Sequence, residues 1–246
     1  MTVDIRRDRK IYAAEGGWFH ARWHFSFDQY RDPEQEGIGP LRVFNDDRLE
    51  PGAVWPMHPH RDIESCTYVA EGRFAHQDSL GNEGRLEAGA AQVMRFSHAG
   101  AMHSELNGSK TEPMRFMQFW FLPSDEDLKS SVQQRQYTRE DRTNTLLQIM
   151  GPQGEDGLDL AQDARVWVSS LSSGASVERE FAAGRGGYLF VMGGALDLRG
   201  ERLDTLDAAK IFGAEKLLIT AIDDAEIIMI DVPLRFEPVG VWAGRP

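Results

Sequence analysis

All seven histidines of the chain, at positions 20, 24, 58, 60, 76, 98 and 103, fall in its first half. Two of them form His58-Pro-His60, followed by Arg-Asp-Ile-Glu64, and another opens His103-Ser-Glu105. On an extended strand, residues two apart project to the same face. Each motif can therefore aim two ligand-capable groups in one direction. Two such strands converging inside a small β structure would gather three imidazoles and a carboxylate around one ion. That donor set suits a divalent transition metal with positions left for water, substrate or dioxygen. A lone His-x-His pair says little, but two pairs, each preceded by a glycine (Gly52 and Gly100), point to a mononuclear site. Glu64 keeps the parity of His58 and His60 if no bulge intervenes, so spacing leaves open whether it or Glu105 faces the ion.

The remaining candidates have quieter readings. His24, inside Trp23-His24-Phe25-Ser26-Phe27, reads as a hydrogen-bonded core histidine, and His76, near Asp78 and Asn82, as a polar hairpin residue. His98 lies on a loop near the expected site, where a proton relay and simple exposure are both open. Cys66 is the single cysteine, so no intrachain disulfide exists, and it reads as a small buried filler. Phe44, Met94, Phe119 and Phe121 suit an aromatic-accepting pocket, although alternation would also put them in a core.

The elements that must position these residues are short apolar or alternating runs punctuated by Gly, Pro and Asp. Leu41–Phe44, Thr67–Val69, Gln92–Phe96 and Arg115–Leu122 read as strands in the first half. Leu146–Met150, Arg165–Leu171, Tyr188–Met192, Lys216–Ala221 and Glu226–Val232 do so in the second. Many short strands with turn signals between them predict a β-sandwich or barrel. The polar stretch within 123–143 breaks the pattern and reads as a connection. The expected division is a metal-binding domain over 1–122, a linker over 123–143, and a second β domain over 144–246 that includes a C-terminal extension. The second domain has neither histidine nor cysteine, so the metal site is expected in the first alone.

Length and composition suit two moderate domains: 246 residues, 41% hydrophobic, with a formal net charge of −12. Residues 1–122 carry 14 basic and 18 acidic side chains, and the rest carry 13 and 21. Neither half has the basic excess that binding to nucleic acid or an anionic membrane requires. The unpaired cysteine and the absence of an apolar leader or membrane-length run make a cytoplasmic location the expectation.

Gly52-x5-His58-x-His60-x3-Glu64 followed by Gly72 resembles the first cupin motif, and Gly100-x2-His103-x3-Asn107 the end of the second. Finer features are similar to one branch, the pirin family. These are Gly17-Trp-Phe-x3-Trp-His24-Phe-Ser-Phe27-x2-Tyr30-x-Asp-Pro33, Leu41-Arg-Val-Phe-Asn-Asp-Asp47, His58-Pro-His60-Arg-Asp-x-Glu64, Thr67-Tyr-Val-x-Glu-Gly72, His76-x-Asp-Ser-x-Gly-Asn82 and His103-Ser-Glu105-x-Asn107. The resemblance covers most of residues 15–122; beyond the linker it rests on length and strand pattern. It implies an all-β bicupin, two jelly-roll-like β-barrel domains, the second degenerate. It places the metal on His58, His60, His103 and Glu105, which leaves Glu64 as an outer partner or a strand-edge charge. Fe(II) is the leading expectation, one ion per chain, with Mn, Ni, Cu and Zn compatible.

The activity implied is quercetin 2,3-dioxygenation, the cleavage of a flavonol by dioxygen with release of carbon monoxide. An aromatic small molecule and O2 are then the partners, and Glu105 or Glu64 takes the substrate's hydroxyl proton. Other family members are described as redox-sensitive regulators that act through protein partners, and other cupins turn over different small molecules. One departure bears on substrate. Family members read Gly-Thr-Gly-Ile-Arg before the His-Ser-Glu triplet, where this chain has Phe96-Ser-His98-Ala-Gly100-Ala-Met102. Met102 thus replaces an arginine expected at the pocket.

Overall fold

The structure is a computed structural model and describes residues 1–244. Apart from three single-turn 3-10 helices, its regular elements are β-strands arranged in four sheets. Each of the two domains is built from one seven-stranded and one four-stranded sheet. In the first half the large sheet runs 131–136, 90–96, 63–71, 114–121, 41–49, 19–23, 12–15, and the small one 54–60, 101–107, 73–78, 83–87. The second half repeats the plan, with a small sheet of 176–180, 216–221, 195–198 and 201–204. Each domain is thus a two-sheet β-sandwich; the sheets do not close into one continuous barrel. No helix is long and apolar enough to cross a membrane among the described residues.

Alternation along the strands builds three cores. In Leu41–Leu49, Phe44 points away from the sandwich interior and Leu49 into it. The outward set, with Cys66, Tyr68, Phe119 and Phe121, joins Tyr188, Phe190, Ile228 and Ile230 of the second domain in one buried cluster. The two large sheets therefore pack on each other, and this cluster holds the domains together. The second domain's interior is filled by Leu189, Leu196, Ile219, Ile227 and their apolar neighbours. The first domain's interior has apolar clusters of its own, around Phe74 and Phe116 and around Met94 and Phe96. Polar side chains also project into it, and there the cavity described below opens.

Two strand exchanges tie the halves of the chain together. Thr2–Arg6 pairs with Ala208–Phe212, so the first strand of the chain lies in the second domain's sheet. Ser131–Gln136, inside the stretch read as a linker, pairs with Ala90–Phe96 and forms the edge of the first domain's large sheet. Its polar composition is the physical reason the sequence hid it: an edge strand half open to solvent needs little apolar character. His24 lies in the contact between domains, fully buried, with Nδ1 2.6 Å from Tyr188 Oη. His76 is also buried, on Arg73–Asp78, with Nε2 2.6 Å from Gln134 Nε2, whereas the adjoining hairpin turn is tied by Asp78 and Asn82. It is thus an interior residue, not a turn residue.

Candidate metal centre

The small sheet of the first domain aims the ligand-type side chains. Val54–His60 pairs antiparallel with Ala101–Asn107, setting His103 opposite His58 and Glu105 opposite Trp55. The register slips by one residue between those pairs, a β-bulge at Pro56 and Met57. It directs His58 inward, as bulges beside functional sites commonly do. Gly100 precedes the second strand with φ +73, and a Cβ there would lie 2.8 Å from the His60 carbonyl oxygen. Only glycine lets the loop pass this close to the first histidine pair.

One nitrogen from each of His58, His60 and His103 falls within 4.8 Å of the others. His58 Nε2 and His103 Nε2 are 3.1 Å apart. Glu105 closes the group, with Oε1 3.4 Å from His103 Nε2 and Oε2 4.0 Å from His58 Nε2. His58 Nδ1 lies 2.7 Å from the Pro56 carbonyl oxygen, to which it can only donate, so Nε2 is the nitrogen left to serve as a ligand. Gln118 Nε2 donates to Glu105 Oε1 at 2.7 Å and fixes the carboxylate's orientation.

The electrostatics favour a bound cation. Burial, reinforced by His58, takes the His60 imidazole down to about 3. Burial and then His60 and His58 take His103 down to about 2. Both rings are therefore neutral at neutral pH, as ligands must be. Burial pushes Glu105 up, against the opposing pull of His58 and Gln118. His60 Nε2 is buried and has no hydrogen-bond partner among the described residues. A buried acceptor left unpaired is costly, and a metal ion would satisfy it. The residues present fit a single transition metal.

His58, His60 and Glu105 of the cluster line a cavity of about 600 Å³, within the range of small-molecule sites. Its apolar walls are Trp23, Phe27, Trp55, Phe116 and Trp120. Phe44, Phe119 and Phe121 point the other way, into the contact between domains, and Met94 packs beside Phe96. Alternation on the large sheet instead brings Asn45 and Asp47 into the cavity. Each has its Oδ1 buried without a partner among the described residues. Burial first, then Asp46 and Glu105, raise the Asp47 carboxyl well above the ordinary range. Asp47 had no role assigned from sequence, where its parity with Val43 and Asn45 shows only that the three share a face, not that this face is the inward one. Arg31 and Arg42 stand at the polar end of the cavity, Arg42 held by Glu36 at 2.7 Å.

Two sequence expectations are corrected. Glu64 does not face this cavity. The backbone turns at Asp62, where φ is +51, and Ile63–Glu71 enters the large sheet with Glu64 on the opposite side. There Oε1 accepts the Ala161 N–H and Oε2 the Gln162 N–H, both at 2.8 Å, and Arg95 Nε donates to Oε1 at 3.1 Å. Met102 also lies outside the cavity: it is 41% exposed, beside Pro59 and Ser79 on the outer face of the small sheet. His103 and Met102 are neighbours on one strand, so they cannot both point inward. His98 is two-thirds exposed and is bound to Asp62, with Nδ1 2.9 Å from Oδ2.

Comparison with known proteins places this arrangement. A family model described as Pirin matches residues 5–121, and one described as the quercetinase C-terminal cupin domain matches residues 148–232. A pirin-like protein of Caulobacter vibrioides is 36% identical over 231 residues, covering 93% of this chain and 99% of its own length. The chain belongs to the pirin family. A quercetin 2,3-dioxygenase of Escherichia coli K12 is 34% identical over 233 residues, covering 94% of this chain and 99% of its own. The crystal structure of the bacterial pirin YhhW from E. coli in complex with nickel(II) superposes with a TM-score of 0.88 at 31% identity, covering 97% of this chain and 100% of that one. Pirin architecture thus extends through both halves, including the second domain that sequence motifs alone did not reach.

Proposed function

We propose that this pirin is a metal-dependent dioxygenase that opens the ring of a flavonol such as quercetin with O2, releasing carbon monoxide. The observation that carries the reading is the convergence of His58, His60, His103 and Glu105 beside an aromatic-walled cavity of about 600 Å³. These four residues would hold one divalent ion, Fe(II) on this reading, and three imidazoles with one carboxylate equally admit the nickel(II) that YhhW binds. The bound ion would supply Lewis acidity toward the substrate's oxygens and redox chemistry toward dioxygen.

The chain's own residues do the rest. Trp23, Phe27, Trp55 and Trp120 exclude water and receive a planar ring system. Glu105, held by Gln118, accepts the proton of the flavonol hydroxyl. Asp47, whose carboxyl burial raises well above the ordinary range, lines the cavity where it can hydrogen-bond a ligand hydroxyl. Arg31 and Arg42 favour a ligand that bears negative charge or several hydroxyls.

A purely regulatory module acting through a protein partner has no need of an open cavity of ligand size beside its ion, so the cavity favours the enzyme. The deciding experiment loads the protein with Fe(II) and, separately, Ni(II), and follows O2 uptake and carbon monoxide release with quercetin. Stoichiometric release of carbon monoxide that vanishes in His103→Ala is expected. O2 uptake without carbon monoxide would assign the pocket to a different small molecule.

A further inference from the structure

Beyond Pro233 the chain leaves the second domain's sheet and returns to the first, past the point where the family-model match ends. Phe236 and Trp242 pack against the cluster of Ile63, Met94, Phe96 and Leu122, which underlies the histidine pair. Gly240–Trp242 forms a 3-10 turn, and this turn is fastened chiefly to Asp62. Val241 N–H donates to Asp62 Oδ2 at 3.0 Å, and Trp242 Nε1–H donates to the Asp62 carbonyl oxygen at 2.8 Å. Gly240 N–H reaches Glu126 Oε1 at 3.4 Å.

Asp62 is itself held in place. It is 4% exposed, adopts a left-handed backbone conformation, and is gripped from outside by His98. Gly240 is left-handed too, at φ +60, and a Cβ on it would lie 2.5 Å from Asp62 Oδ2. The tail can sit here only with glycine at this position. The result is that Trp242 lines the cavity together with His60 and Trp120.

We infer that the C-terminal segment Phe236–Trp242 is a built wall of the ligand pocket, and that Trp242 is a specificity-determining residue for planar aromatic ligands. The inference rests on the reading of this cavity as a substrate site. Its chemistry follows from the hydrogen bond: because the indole N–H is committed to the Asp62 carbonyl, the ring offers a ligand its apolar body, not a donor. A rigid indole gives a large contact area at low conformational cost. A ligand small enough to stay against the ion gains nothing from it, while an extended ring system does. This also gives a use to Asp62 and His98, which lie outside the metal cluster.

The test uses full-length, nickel-loaded protein under anaerobic conditions, so that binding is read without turnover. Quercetin affinity is followed by its absorbance change, with catechol as the small control. Trp242→Ala is expected to weaken quercetin about tenfold while leaving catechol affinity and metal content unchanged. Trp242→Phe should recover most of the loss. Gly240→Ala, which displaces the tail through Asp62 without altering any cavity side chain, should weaken quercetin in the same direction. The rate at which 1,10-phenanthroline strips the nickel is a second readout that needs no flavonol, and it should rise in Trp242→Ala and Gly240→Ala. Quercetin affinity unchanged in Trp242→Ala overturns the specificity role. If wild-type protein binds no flavonol, the substrate reading fails, and the stripping rate alone then decides the wall: faster in the variants upholds it, unchanged refutes it.

Discussion

Glu64 Oε2 accepts the backbone N–H of Gln162 at 2.8 Å, so the carboxylate that follows the histidine pair in sequence joins the two domains instead of reaching the ion. The consequence is a division of labour between two glutamates that spacing alone could not separate. Glu64→Ala would strand the N–H groups of Ala161 and Gln162 and unpair Arg95. A loss of about 3 kcal/mol of stability is expected, with metal stoichiometry unchanged. Denaturant melts beside metal analysis check it, and a native-like melt with the metal lost would return Glu64 to the site.

Among the described residues, Gln118 hydrogen-bonds Glu105 and none of the three histidines. Removing an outer partner of a ligand commonly costs roughly 10–100-fold in metal affinity. Gln118→Leu is therefore expected to weaken the metal within that range, measured by competition with a chelator of known affinity. His103→Ala should weaken it further, since it removes a donor outright. Equal affinity in Gln118→Leu and wild type would show that Glu105 does not hold the ion.

His24 predicts a pH dependence of folding. Burial first, then Arg6 and Arg22, hold its imidazole well below 6.5. Between that depressed value and about 6.5, the unfolded chain binds a proton that the folded one refuses. The stability tied to neutral His24 is thus fully present above about pH 6.5 and falls as pH drops below it. The slope reaches about 1.4 kcal/mol per pH unit for one proton. His24→Gln should make the acid limb of metal-free protein shallower by about one proton between pH 6 and pH 5. A limb of unchanged slope would contradict the buried neutral histidine.

Asp47 predicts the opposite sign. Its folded value is raised above the ordinary one near 3.9, so ionisation opposes folding and stability is lost as pH rises through the interval between the two. In metal-free protein, Asp47→Asn should raise the melting temperature at pH 7, by about 2–4 °C for each kcal/mol gained. The gain should shrink as pH falls toward about 3, below the unfolded value, where the wild-type carboxyl is protonated in both states. Scanning calorimetry at both pH values checks it. A gain that grows on acidification would mean that Asp47 is ionised in the fold.

What the sequence determined by itself was local and periodic. His58 with His60, and His103 with Glu105, stand two apart, and a strand's period of two sends each pair to one face wherever the strand runs. The strands Arg165–Leu171 and Lys216–Ala221 were legible with their full bounds because buried strands of a sandwich need continuous or alternating apolar residues. Whatever depended on where a strand ends was not legible. Glu64 shares the parity of His60 on paper, but a single left-handed residue, Asp62, moves the chain from one sheet to the other and reverses its face.

Partnership across long sequence separations was decided only in three dimensions. Ser131–Gln136 is a strand because Ala90–Phe96 has an open edge, and Thr2–Arg6 belongs to the second domain because Ala208–Phe212 has one. Neither segment needs a strong intrinsic pattern when a waiting edge supplies its hydrogen bonds. The aromatic walls of the cavity followed the same logic: Trp120 faces in and Phe119 out, on adjacent positions of one strand. Which face was the cavity depended on a second domain packing against the other. The ligands were written in the spacing of the chain, whereas the pocket around them required the docking of the two large sheets and the return of a tail from beyond residue 232.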